Sequence, residues 1–239
     1  YAGSITLGVG QFCTNPGLII AIDNEDLKIF QDNMAARIIK VAPGNMLHSG
    51  IFKNYVEKRA NALAQEDVEM IAVAETEPQL NQGAPTLAST SAEAFVNNPI
   101  LHQEVFGPYY MIIRCRDMED MVNVTKQLEG QLTATIMATD EEIRNNTYLV
   151  EAIKDICGRF ILNSVPTGVE VCLSMQHGGP FPASSDSRFT SVGADGIKRF
   201  ARPVAFQNWS NDLLPDELKN ENPLDIWRTV NNELNRSAL

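Results

Sequence analysis

The sequence predicts an α/β fold, a mostly parallel sheet flanked by helices, followed by a C-terminal strand and an acidic tail. Three observations predict it. Short apolar runs alternate with stretches of helical periodicity, most plainly from Tyr109 to Leu162. Turn and capping residues sit at the junctions between them. Strand–helix–strand–helix–strand order also favours right-handed crossovers and parallel pairing.

The elements follow in chain order. Leu18-Ile19-Ile20-Ala21-Ile22 is a continuous apolar run and reads as a buried strand. Asp23-Asn24 caps a helix over 25–41, in which Leu27, Phe30, Met34, Ala35, Ile38 and Ile39 recur at helical spacing. Pro43-Gly44 ends it. A second helix is expected over 46–65 and a strand over 69–75. The stretch 78–85, rich in Pro, Asn, Gln and Gly, reads as a loop. Strand 109–115, helix 118–128 stopped before Gly130, strand 132–138, helix 141–157 capped by Thr139-Asp140, and strand 159–162 complete the main body. Beyond it, 203–207 reads as a short strand and 223–234 as a last helix, with Leu224, Trp227 and Leu234 packing inward. The tail from Asn208 is acidic, with Pro215 and Pro223 interrupting it.

Composition narrows the function. The chain has 239 residues, enough to bury a substantial core. A net charge of −11 argues against a nucleic-acid partner, whose binders carry a basic face. No apolar run has the length of a bilayer-crossing helix. The four cysteines, Cys13, Cys115, Cys157 and Cys172, include no CxxC pair. Cys115 and Cys157 read as reduced core thiols, which makes the cytosol the simplest compartment. His48, His102 and His177 lack ligand partners at zinc-like spacing, so no metal site is expected.

Cys13 stands apart. It lies in Gly8-Val9-Gly10-Gln11-Phe12-Cys13-Thr14-Asn15-Pro16-Gly17, where small residues and turn formers crowd both sides of one sulfur. A thiol on such a segment becomes a nucleophile when its pKa is lowered; otherwise it is an ordinary free cysteine. The segment resembles the active-site stretch of the aldehyde dehydrogenase superfamily, with its Gly-Gln-x-Cys run. Glu104-Val105-Phe106-Gly107-Pro108 resembles that superfamily's Glu-x-Phe-Gly-Pro motif. Asn163-Ser164-Val165-Pro166-Thr167-Gly168, His177-Gly178-Gly179-Pro180, Arg188-Phe189-Thr190-Ser191-Val192-Gly193 and Lys198-Arg199-Phe200-Ala201-Arg202-Pro203 follow in the family's order. Together they resemble the branch holding NADP-preferring 2,5-dioxopentanoate (α-ketoglutaric semialdehyde) dehydrogenases and fatty aldehyde dehydrogenases.

The resemblance implies that residues 1–200 form a catalytic domain and 201–239 an oligomerisation strand and tail. It implies Cys13 as the catalytic nucleophile, and Glu104 and Phe106 as contacts to NADP, or NAD. It implies an aldehyde as the small-molecule substrate and a homo-oligomer as the complete enzyme, with strand 203–207 pairing with an arm of another subunit. Most of the family's cofactor domain precedes the cysteine, as do its general-base glutamate and second oxyanion donor. The chain is therefore expected to be a C-terminal portion that binds the cofactor poorly by itself. Asn163 is expected to organise the active-site loop, and Arg188 either to form a salt bridge or to hold a substrate carboxylate. His177 is read as a loop-stabilising hydrogen bonder. A cysteine hydrolase or acyltransferase, which needs a histidine within reach of Cys13, and a non-catalytic assembly domain are the alternatives from other classes.

Overall fold

A computed structural model describes all 239 residues, which form two compact units, Tyr1–Arg199 and Phe200–Leu239. The first opens with a short helix α1 (Ala2–Thr6), strand β1 (Leu18–Ile22) and helix α2 (Glu25–Ile38). Asn24 caps α2 by accepting a hydrogen bond from the Leu27 N–H at 2.9 Å, the role its sequence position suggests. A two-residue strand β2 (Gly44–Asn45) and helix α3 (Ser49–Leu63) follow. Next come strands β3 (Glu69–Val73), β4 (Gln82–Gly83) and β5 (Thr86–Ser91), helix α4 (Ala92–Asn97) and strand β6 (Tyr109–Cys115). Helix α5 (Met118–Gln127), strand β7 (Gln131–Ile136), helices α6 (Asp140–Asn145) and α7 (Thr147–Ile156) and strand β8 (Cys157–Leu162) complete the α-helices and strands of this unit.

The main sheet runs β1–β6–β5–β3. β1, β6 and β5 are parallel, and β3 is antiparallel to β5 at the edge. Both faces of β6 are buried, which explains its unbroken apolar run. Tyr109, Met111, Ile113 and Cys115 face one core with Tyr55, Ala62, Phe95 and Val124 from α3, α4 and α5. Tyr110 and Ile112 face the other, with Ile5 from α1 and Leu27, Met34 and Ile38 from α2. The sheet is thus a middle layer between α2 on one side and α3 to α5 on the other. Truncating Ile112, which is wholly buried, would cost about 2–5 kcal/mol through lost transfer energy and the cavity left behind.

Several expectations need correction. β5 was unforeseen because Thr-Leu-Ala-Ser-Thr-Ser has neither apolar alternation nor bulk. Its pairing with β6 on one side and β3 on the other imposes the strand. The expected helix over 141–157 is two helices, broken at Asn146 (φ −124°, ψ 42°). The Thr139 side chain and Glu142 form a reciprocal capping box at its start. β7 and β8 pair in parallel, but as a sheet of their own that does not continue the ladder of β6. Gly158, which falls between the expected helix and the expected strand, already lies inside β8.

The second unit corrects two more. Residues 203–207 form no strand. The expected helix over 223–234 is instead a hairpin of β9 (Arg228–Val230) and β10 (Glu233–Asn235). Asn231 and Asn232 turn it with φ of +50° and +69°, the left-handed pair that a two-residue hairpin turn requires. Asparagine tolerates that region better than most residues, so Asn-Asn outweighs the helical spacing of Leu224, Trp227 and Leu234. Buried Asn222 ties the unit together, donating from Nδ2 to the Ile226 and Arg236 carbonyls at 2.9 and 2.8 Å. No helix is long and apolar enough to cross a membrane.

Candidate active site

The loop before β1 carries Cys13, and three successive residues shape it. Gly8, Val9 and Gly10 have φ of +55°, +60° and +65°. A β-branched residue in this region is strained, by about 1–3 kcal/mol, and stays there only when its surroundings hold it. Val9 packs against the core beneath α3, with Gly44 leaving room for its methyl groups. Gln11 pins the same loop: its Oε1 accepts from the Leu47 N–H at 2.9 Å, and its Nε2 donates to the Gly8 carbonyl at 3.1 Å.

Gly10 fastens this loop to a distant segment. A Cβ there would lie 2.4 Å from the Gly107 carbonyl oxygen, so only glycine permits the approach. Asn15 Nδ2 also donates to that carbonyl, at 3.4 Å. The Glu104–Pro108 segment thus lies against the Cys13 loop. Both segments precede parallel strands, β1 and β6, and sit at their amino ends. The ligand sites of open parallel sheets usually gather at the opposite end.

Cys13 is exposed, and its backbone N–H donates no hydrogen bond within the chain. The Glu104 side chain is exposed and engages no ion pair or hydrogen bond; its carbonyl accepts from Lys58 Nζ at 3.1 Å. Phe106 is half-buried beside it. A carboxylate can accept hydrogen bonds from sugar hydroxyls, and an aromatic ring can pack on a flat ring, so these are the two side chains of the segment that could hold a nicotinamide dinucleotide.

The residue that sequence reasoning left aside is His177. Its Nε2 lies 3.5 Å from the Cys13 sulfur, across 164 residues of chain. The loop bearing it is anchored by its own backbone: the His177 N–H donates to Thr190 Oγ1 at 2.9 Å, and its carbonyl accepts from the Ser191 N–H at 2.9 Å. Gly158 lets that loop close on β8, since a Cβ there would meet the Gly178 carbonyl oxygen at 1.8 Å. Burial, and then the Arg159 charge, hold the His177 pKa below the usual imidazole range. The Nδ1 atom is buried without a partner. The other histidines have structural roles. His48 Nδ1 accepts from the Gly50 N–H at the start of α3, and His102 bonds the Phe95 carbonyl while stacking on its ring.

Two further expected residues lie outside this cluster. Asn163 (φ +50°) clips the carboxyl ends of β7 and β8: its side-chain amide exchanges hydrogen bonds of 3.0 and 2.8 Å with the Ala138 backbone. Arg188 is held by Asp186 through two bonds of 2.9 and 2.6 Å, the salt bridge rather than a free anchor. Cys115 is a core thiol, its pKa pushed up to about 12, first by burial and then by Asp120 and Asp117. Cys157 is only half-buried.

No protein-family model matches the chain. Among characterised proteins, it is 43% identical over 228 residues to α-ketoglutaric semialdehyde dehydrogenase 2 of Azospirillum brasilense, covering 95% of this chain and 43% of that one. It is 40% identical over 235 residues to the α-ketoglutaric semialdehyde dehydrogenase of Acinetobacter baylyi, covering 98% of this chain and 45% of that one. Over nearly its whole length the chain is thus similar to members of the aldehyde dehydrogenase superfamily. It spans less than half the length of these two relatives. Aldehyde dehydrogenase structures share its fold. The Δ1-pyrroline-5-carboxylate dehydrogenase of Mycobacterium tuberculosis superposes with a TM-score of 0.68 at 16% identity, over 89% of this chain and 41% of that one. The succinic semialdehyde dehydrogenase of Streptococcus pyogenes, in complex with NADP+, gives 0.59 at 19%, over 74% and 40%.

Proposed function

We propose that this aldehyde dehydrogenase chain supplies the nucleophile for oxidising 2,5-dioxopentanoate (α-ketoglutarate semialdehyde) to 2-oxoglutarate with NADP. One observation carries the reading: an exposed sulfur with a free backbone N–H, on a loop fastened to the segment bearing Glu104 and Phe106. The names of the two relatives support the substrate. Solved relatives bound to NADP+ or NAD support a nicotinamide dinucleotide.

The Cys13 thiolate attacks the aldehyde carbon, forming a C–S bond and moving the carbonyl π pair onto oxygen. The Cys13 N–H stabilises that alkoxide. Collapse re-forms the C=O bond and releases the aldehydic hydrogen with its electron pair, leaving a thioester on Cys13. Glu104 and Phe106 would hold a nicotinamide dinucleotide, which would supply the acceptor for that hydride. Water then cleaves the thioester, freeing the carboxylic acid and the thiol.

The contact between Cys13 and His177 favours a second reading, a cysteine hydrolase or acyltransferase. Against it stands the bare Nδ1, because no third group orients the ring as a base. The test is aldehyde-dependent reduction of NADP by the chain together with the rest of its reading frame, using 2,5-dioxopentanoate and a long-chain aldehyde. Turnover of dioxopentanoate, lost in Cys13→Ser and weakened in Glu104→Gln, is the expected result. Faster turnover of the long-chain aldehyde replaces the substrate. Cys13-dependent ester hydrolysis without any NADPH formation replaces the reaction.

A further inference from the structure

We infer that His177 holds the Cys13 sulfur as a neutral hydrogen-bond donor, its Nε2–H stabilising the thiolate without taking up the thiol proton. The inference rests on Cys13 being the reacting thiol and assigns what poises it.

The geometry decides between two roles for one ring. A neutral imidazole carries a proton on one nitrogen and a lone pair on the other. To act as base toward Cys13, His177 must present a lone pair at Nε2 and carry its proton on Nδ1. That places an N–H donor in a buried position with no acceptor. Orphaned buried N–H groups are rarer than orphaned acceptors, and losing a partner costs the full desolvation of the group. The other tautomer places the N–H on Nε2, 3.5 Å from the sulfur, and leaves only a lone pair bare. Sulfur is a weak acceptor as a thiol and a far better one as a thiolate, so the bond strengthens when the proton leaves to water.

The charges around the ring agree. Arg159 on β8 is the ionised group whose field reaches His177, and Cys13 is the titratable group at its Nε2. Arg159 is fixed there, donating to the Pro166 and Gly168 carbonyls at 2.6 and 3.1 Å. On the His177 loop, Arg188 is neutralised by Asp186, Thr190 and Ser191 meet His177 through uncharged groups, and the Arg199 guanidinium donates to Ser191 Oγ at 2.6 Å. A cation whose field reaches the ring and no carboxylate at Nδ1 both disfavour a second positive charge. The imidazolium of a Cys–His ion pair is therefore not the form that faces Cys13. His177 is a positioning residue for the thiolate.

The experiment reads the thiol directly. Alkylation of Cys13 by iodoacetamide is followed by mass spectrometry across pH in wild type, His177→Gln and His177→Leu. Glutamine retains an N–H donor of similar reach; leucine has none. In His177→Leu the half-reaction pH should rise by about one unit, the size expected for one hydrogen bond to a charged group. His177→Gln should stay near wild type, whose curve should show one inflection. A leucine variant that superposes on wild type overturns the proposal. So does a glutamine variant that behaves like leucine, or a second inflection from the imidazole. Two-bond 1H–15N correlation of the His177 ring tests the tautomer in the unaltered protein: a proton on Nε2 is expected, and one on Nδ1 overturns the inference. Neither measurement needs aldehyde or nucleotide, so this inference and the dehydrogenase reading can fail separately.

Discussion

Gly10 and Gly107 meet backbone to backbone, and their contact couples the cysteine loop to the Glu104 segment. A methyl group on Gly10 would lie 2.4 Å from the Gly107 carbonyl oxygen, at a residue with φ of +65°. Gly10→Ala therefore meets a steric and a conformational penalty together, at least about 2 kcal/mol. Urea denaturation should show that loss, and alkylation of Cys13 should change with it. Wild-type stability in the variant would mean that the two loops do not touch in solution.

The four thiols should differ sharply. Cys13 is exposed, whereas Cys115 is fully buried with its pKa pushed up to about 12. In native protein at pH 8, a disulfide reagent should modify Cys13 in the fast phase and leave Cys115 until the chain unfolds. Cys13→Ser should abolish that fast phase. Its persistence would transfer the reactive role to Cys172 or Cys157.

Arg188 holds Asp186 well below the ordinary carboxylate range, at about 2, chiefly through side-chain and backbone hydrogen bonds. A depressed carboxylate pKa means the pairing is intact above the unfolded value near 3.8 and lost as pH falls through about 2. The Arg188 side chain is largely solvated and that of Asp186 about a third exposed, so solvent screens the pair, and the titration, not global stability, is the readout. NMR should find the Asp186 midpoint near 2, and Arg188→Ala should return it toward 3.8. If the same variant raised KM for a semialdehyde while leaving Asp186 untouched, Arg188 would be a substrate anchor after all.

Asn163 replaces, with its side chain, the backbone pairing that β7 and β8 lack at their ends. Asn163→Ala removes two hydrogen bonds and places a less tolerant residue at φ +50°, costing about 1–3 kcal/mol. Amide exchange should quicken at Ala138 and along β8. Protection unchanged there would show that the clip is dispensable.

Much of the fold was legible because its elements carry local signals. The unbroken apolar run of β6 followed from burial on both faces, and Asn24 and Thr139 announced helix starts by their side-chain chemistry. β5 was illegible because small and hydroxyl residues become a strand only when sheet neighbours demand it. The hairpin turn at Asn231-Asn232 is legible in principle, but the spacing of Leu224, Trp227 and Leu234 imitates one face of a helix. At the site, motif resemblance pointed to Cys13, Glu104 and Phe106. His177 was named and set aside, because no local pattern reports a contact spanning 164 residues. The two glycines that follow it are the available sign, since Gly178 is where the loop meets Gly158 of β8.

The wide separation of Cys13 and His177 also sets an order of events during synthesis. At about 5–20 residues per second, roughly 8–33 s pass between translation of the cysteine and translation of the histidine. Throughout that interval the nascent chain carries its sulfur without the ring that later holds it. The hydrogen bond to the sulfur thus becomes available only once His177 has been added, so a ribosome stalled between the two codons leaves a Cys13 without that partner.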